Sequence, residues 1–90
     1  MKIVCQVFKS SRKEEMYLYV EKSRGLEDVP EALMTRFGEP QEVMVLLLTP
    51  ERQLSRASVL EVLANIADKG FYLQMPPTAA QLLQRDGNEN

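Results

Sequence analysis

Ninety residues leave room for one hydrophobic core and not two, because a chain of this size buries roughly 60–70% of the surface its unfolded form exposes. Hydrophobic residues are 44% and charged residues 27% of the chain, close to globular averages and away from the apolar-poor signature of disorder. A formal net charge of −2 argues against broad phosphate-neutralising nucleic-acid binding, and the longest apolar run, residues 43–48, falls far short of the roughly 20 residues that cross a bilayer as a helix. One self-folding domain over residues 1–84, followed by a polar tail at 85–90, is expected.

Ile3, Cys5 and Val7 alternate with Val4, Gln6 and Phe8, a period-2 pattern of β-formers that predicts a first strand. Gln6 and Lys9 interrupt any signal-like apolar region, so secretion is not expected. The single cysteine, Cys5, has no disulfide partner within the chain and fits a reducing, cytoplasmic address, with its thiol buried in the strand. After the polar run Lys9, Ser10, Ser11, Arg12, Lys13, Glu14, Glu15, alternation resumes: Met16, Leu18 and Val20 on one face, Tyr17, Tyr19 and Glu21 on the other. The two segments predict a hairpin with a charged turn.

Pro30 suits the first position of a helix, Leu33, Met34 and Phe37 share one side of it, and Gly38 with Pro40 ends it, which predicts a helix over 30–37. Residues 43–48 are apolar without alternation, the pattern of a strand buried on both faces. A helix over about 56–69 follows, with Ser55 or Ser58 as its cap, the latter spaced with Glu61 as a capping box, and Gly70 behind it. Phe71, Leu73 and Met75 predict a last strand stopped by Pro76 and Pro77, and Thr78 with Gln81 opens a short C-terminal helix bearing Ala79, Leu82 and Leu83. The order ββαβαβα predicts an α/β fold, an α/β/α sandwich with a mixed sheet of about four strands and helices on both faces. Each strand–helix–strand step suggests a parallel right-handed crossover.

These segments resemble the YcgL family of small bacterial proteins. The resemblance rests on Tyr17-Leu18-Tyr19-Val20-Glu21-Lys22, on Val29-Pro30-Glu31 with Phe37-Gly38-Glu39-Pro40, and on Gly70-Phe71-Tyr72-Leu73-Gln74-Met75-Pro76-Pro77. It implies an α/β/α sandwich, and it implies no activity, since the family has no catalytic motif to carry over.

Histidine is absent, which removes the commonest general base and excludes Ser-His-Asp and Cys-His sites. One cysteine without histidine leaves no zinc set. The four glycines stand singly at element ends, so no phosphate-cradling loop occurs. No metal and no cofactor are expected. What remains is an uneven charge distribution: residues 1–24 hold six Lys/Arg against three Glu. Lys9, Ser10, Ser11, Arg12 and Lys13 could gather an anion with cations, hydroxyls and backbone N–H groups, while an ordinary solvated turn is the alternative reading. Tyr17 and Tyr19 share a strand face and are candidate contact residues, with core packing as their alternative.

The function expected by elimination is a non-catalytic cytoplasmic interaction module or small regulator that presents its basic hairpin end to a protein partner or an anionic ligand. The alternatives are an enzyme using carboxylate, Lys or Tyr chemistry around Lys13, Tyr17 and Glu21, and local RNA binding at the hairpin. Nucleic acid is not the favoured partner, no membrane association is expected, and the chain is expected to be a monomer.

Overall fold

The computed structural model describes residues 2–52, 54, 58–76, 78 and 79. Four strands, β1 (Ile3–Lys9), β2 (Tyr17–Glu21), β3 (Gln41–Leu48) and β4 (Phe71–Gln74), form one sheet in the order β3-β1-β2-β4, with α1 (Glu31–Phe37) between β2 and β3 and α2 (Val59–Lys69) between β3 and β4. The α/β class, the strand count and the first hairpin agree with the sequence patterns. The expected C-terminal helix, the domain end at residue 84 and the tail lie outside the described residues beyond Ala79.

Every pairing in the sheet is antiparallel, so the expected parallel pairs do not form. The reason is the position of β1. Both β2 and β3 pair antiparallel with it, hence they run in the same direction but on opposite sides of β1. The β2-α1-β3 step is therefore a crossover between co-directional strands that skip a neighbour.

Alternation of side chains divides the core in two. On one face Cys5, Val7, Tyr19 and Leu48 meet Val59, Val62, Leu63 and Ile66 of α2. On the other, Phe8, Leu18 and Val20 meet Phe37 of α1 and Val29 of the preceding turn. The helices thus pack on opposite faces, as the sandwich expectation required. Ser58 caps α2 by accepting from the Glu61 N–H at 3.5 Å, and Gly70 ends it in the left-handed conformation. At Gly70 a Cβ would collide with the Asp28 side chain, so that position tolerates only glycine.

Residues 43–48 do not form an interior strand. β3 is an edge, and Val43, Met44, Val45 and Leu47 are 43–51% exposed, whereas Leu48 is fully buried. The uniform apolar run was a poor guide because apolarity permits burial without enforcing it. Near its start β3 is also irregular: a bulge shifts the register between Val7 and Phe8 of β1, which pair with Met44 and Glu42, and Gln6 Nε2 donates to the Met44 carbonyl beside it at 3.3 Å.

The buried cysteine agrees with expectation. Burial pushes the Cys5 thiol up to about 11, against a smaller opposing effect of the Val20 backbone. A thiol pKa raised by folding stabilises the fold fully below the unfolded value near 9 and loses that contribution as pH rises through about 11. Stability measured by denaturant titration is therefore expected to stay flat to pH 9 and then fall, and native Cys5 should resist thiol reagents until the chain unfolds. The edge position of β3 has its own signature. Leu48→Ala should cost about 3 kcal/mol in denaturant titrations at low protein concentration and Val45→Ala less than about 1 kcal/mol.

Candidate functional site

The hairpin loop is built on Ser10. Its N–H donates to the Met16 carbonyl at 2.9 Å and closes the loop. Its buried hydroxyl donates to the Phe37 carbonyl at 2.6 Å and accepts from the N–H groups of Arg12 and Lys13, each at 3.0 Å. Ser11 Oγ accepts the Glu39 N–H at 2.8 Å. The hairpin is thereby fastened to the C-terminal end of α1. The fit is close enough that a Cβ on Gly38, which has φ +81°, would strike Ser11 Oγ and the Arg12 chain. Both serines proposed as anion ligands are engaged in these bonds, and so are the N–H groups of Arg12 and Lys13. Lys9, Arg12 and Lys13 are exposed and remain as charges on a fixed base.

The tyrosines separate. Tyr19 is core: its ring meets Tyr72 edge-on with centroids 5.8 Å apart, and its hydroxyl donates to Gln74 Oε1 at 2.9 Å. Burial raises its pKa, with smaller contributions from Cys5, Tyr72 and Tyr17, so it stays a neutral donor. Tyr17 is half-buried and opens onto a cleft of about 400 Å³.

That cleft is the part of the α2 face that α2 leaves uncovered. The buried Val7, Tyr19 and Gln74 and the half-buried Tyr17 and Leu46 lie at its base, with Met44, Leu54, Glu15 and Arg52 around them. Glu15 adopts φ +60°, a left-handed turn conformation uncommon outside glycine and asparagine, and sits at the cleft rim. Lys9 pairs directly with Tyr17 across the hairpin, so it stands on the cleft's face of the sheet. A basin of this volume, lined about equally by apolar and polar groups, falls in the size range of binding sites. Arg52, Leu54 and Met44 were not candidates from sequence. They reach the cleft through the β3 edge and the connection after it, which no local pattern announces.

The constellation Lys13, Tyr17 and Glu21 does not converge. Tyr17 and Glu21 stand at opposite ends of β2, about 13 Å apart along the strand. Glu21 instead borders a second cleft of about 490 Å³ at the far end of the sheet. There Arg24 and Asp28 form a two-pronged ion pair at 2.6 and 3.0 Å, and the guanidinium holds the Asp28 carboxyl below its usual range. Among the described residues no group of three His, Cys, Asp or Glu could hold a metal ion, and no helix is long and apolar enough to cross a membrane.

A protein-family model, the YcgL domain, matches residues 5–77. The chain is 57% identical over 84 residues to a YcgL domain-containing protein of Pseudomonas paraeruginosa, covering 93% of this chain and 87% of that one. It is 54% identical over 80 residues to one from Chromohalobacter salexigens, with 89% and 83% covered, and 53% identical over 77 residues to one from Cellvibrio japonicus, with 86% and 79% covered.

Loss of the Ser10 hydroxyl tests the clamp. Ser10→Ala removes three hydrogen bonds and leaves the Phe37 carbonyl without that donor, which should lower stability by about 2 kcal/mol. Amide exchange should quicken at Arg12 and Lys13 first, since their acceptor is gone.

Proposed function

The chain belongs to the YcgL domain family, and from that premise and the geometry of the hairpin end we propose that it is a non-catalytic interaction module that grips an acidic-flanked apolar segment of a protein partner. The observation that carries this reading is the adjacency of the cleft to the hairpin cations: Tyr17 lines the cleft, and its direct strand partner is the exposed Lys9. An apolar floor supplies burial, and Lys9, Arg12 and Lys13 supply steering and orientation. Against catalysis stands the separation of Tyr17 from Glu21 at opposite ends of β2. Against RNA stands the core position of Tyr19, which leaves Tyr17 as the half-buried aromatic of the cleft, where single-strand readers use several.

The test compares partners recovered on tagged wild-type protein, on Arg12→Glu/Lys13→Glu and on Tyr17→Ala, at low and high salt, by quantitative mass spectrometry. The charge reversal concerns exposed side chains and should shift stability by less than about 0.5 kcal/mol per site. It should abolish recovery at low salt, where the wild-type interaction is strongest. Tyr17→Ala should weaken recovery at both salt concentrations. Equal recovery from all three folded proteins would remove the hairpin end as the binding surface.

A further inference from the structure

The two edges of the sheet are unequal. β4 is four residues long and is followed by Pro76 and Pro77, the usual protection of an edge by shortness and proline. β3 is eight residues long, contains no proline and no lysine, and carries its one charge, Glu42, beyond the bulge. Among the described residues nothing pairs with its outer side. Val45 and Leu47 project to the α1 face beside Val4, and all three are nearly half exposed. The α2 face of the same strand shows Met44 at 51% exposure.

We propose that the free edge of β3 pairs antiparallel with β3 of a second copy of this chain, about a two-fold axis at Leu46, to make one eight-stranded sheet. The register follows from the bulge, which confines regular pairing to residues 44–48 and places their midpoint at Leu46. Pairing about that midpoint sets Val45 against Leu47 of the partner subunit and Met44 against Leu48 of the partner subunit. It opposes no charge to a like charge. Val45 and Leu47 of both copies then form one apolar cluster on the α1 face, flanked by the two Val4 side chains.

The area suits such a contact. The exposed fractions of Val4, Val43, Met44, Val45 and Leu47 amount to about 400 Å² per protomer, enough to mark a contact surface. Doubled, and with the main-chain edges added, the contact reaches on the order of 1,000 Å², the lower bound for a specific interface. A reversible dimer at the small end of specific interfaces is therefore expected. It extends the chain beyond the monomer that its composition suggested. It does not depend on the hairpin reading, since none of the hairpin cations lies in the seam. It does bring Leu46 of the partner subunit beside Leu46, which lines the cleft.

Sedimentation equilibrium of the full chain from micromolar to millimolar protein tests it. Wild type should dimerise. Val45→Lys/Leu47→Lys places four ammonium groups in the seam and should raise the dissociation constant at least tenfold while the monomer keeps its melting temperature. Val45→Lys/Leu47→Glu should restore the dimer, because this register sets each introduced ammonium against a carboxylate in the partner. Three results would overturn the proposal: wild type monomeric at millimolar protein, a dimer indifferent to the double lysine variant, or no recovery with the Lys/Glu variant. Protection of β3 amides in the monomer that is lost on truncation after Ala79 would assign the edge to the chain's own C-terminal segment, and would overturn it as well.

Discussion

The Ser10 hydroxyl is the point from which the hairpin end is organised. It is one atom with three partners: the last carbonyl of α1 and two consecutive N–H groups of the turn. Because the hydroxyl and its bond to the Phe37 carbonyl are buried, breaking that bond would leave a desolvated carbonyl without a partner. The consequence is that the hairpin cannot drift relative to α1, and Gly38 must lack a side chain where the two meet. Cations presented by such a turn are already oriented, which lowers the ordering cost of any contact they make.

From that clamp outward, the chain's short connections decide what is covered. α1 has seven residues and is about 10 Å long. Anchored at the hairpin end, it covers Leu18 and Val20 of β2 and reaches β4 through Phe71 and Leu73. It does not extend over Val4, Val45 and Leu47, which therefore stay half exposed. On the opposite face α2 packs toward β4 and β2 and leaves the hairpin end of that face open as the cleft. Both uncovered regions follow from two short helices on a sheet wider than either of them.

Much of this was legible in the residues. Period-2 alternation placed β1 and β2, and the proline and glycine punctuation bounded α1, whereas α2 begins at Val59 behind the Ser58 cap and not at the expected position near 56. The burial of Cys5 followed from its strand face, whereas Tyr19, a candidate contact residue in the sequence, turns out to be core. The topology was not legible, because pairing direction depends on which strand inserts between which, and β1 lies between β2 and β3 for reasons that no single segment contains. Residues 43–48 misled for a different reason: an apolar edge strand and an apolar central strand have the same composition, and only their neighbours distinguish them. The candidate site was half legible. Lys9, Arg12 and Lys13 are exposed and Tyr17 lines the cleft, whereas Ser10 and Ser11 serve the turn, a role that hydroxyls at strand ends commonly take.

One strand joins the two uncovered surfaces. Met44 and Leu46 of β3 line the cleft, and Val45 and Leu47, which alternate with them, face the other side. Side chains on a strand alternate rigidly, so a one-residue slip of β3 against β1 would move every one of them to the wrong face. The bulge at Val7 and Phe8 lies between the regular part of β3 and its charged start, and it fixes where that alternation begins. A contact that orders the outer edge of β3 therefore also orders a wall of the cleft. Any differential affinity created this way is reciprocal: a segment held in the cleft would strengthen pairing at the edge by the same factor that pairing strengthens its binding.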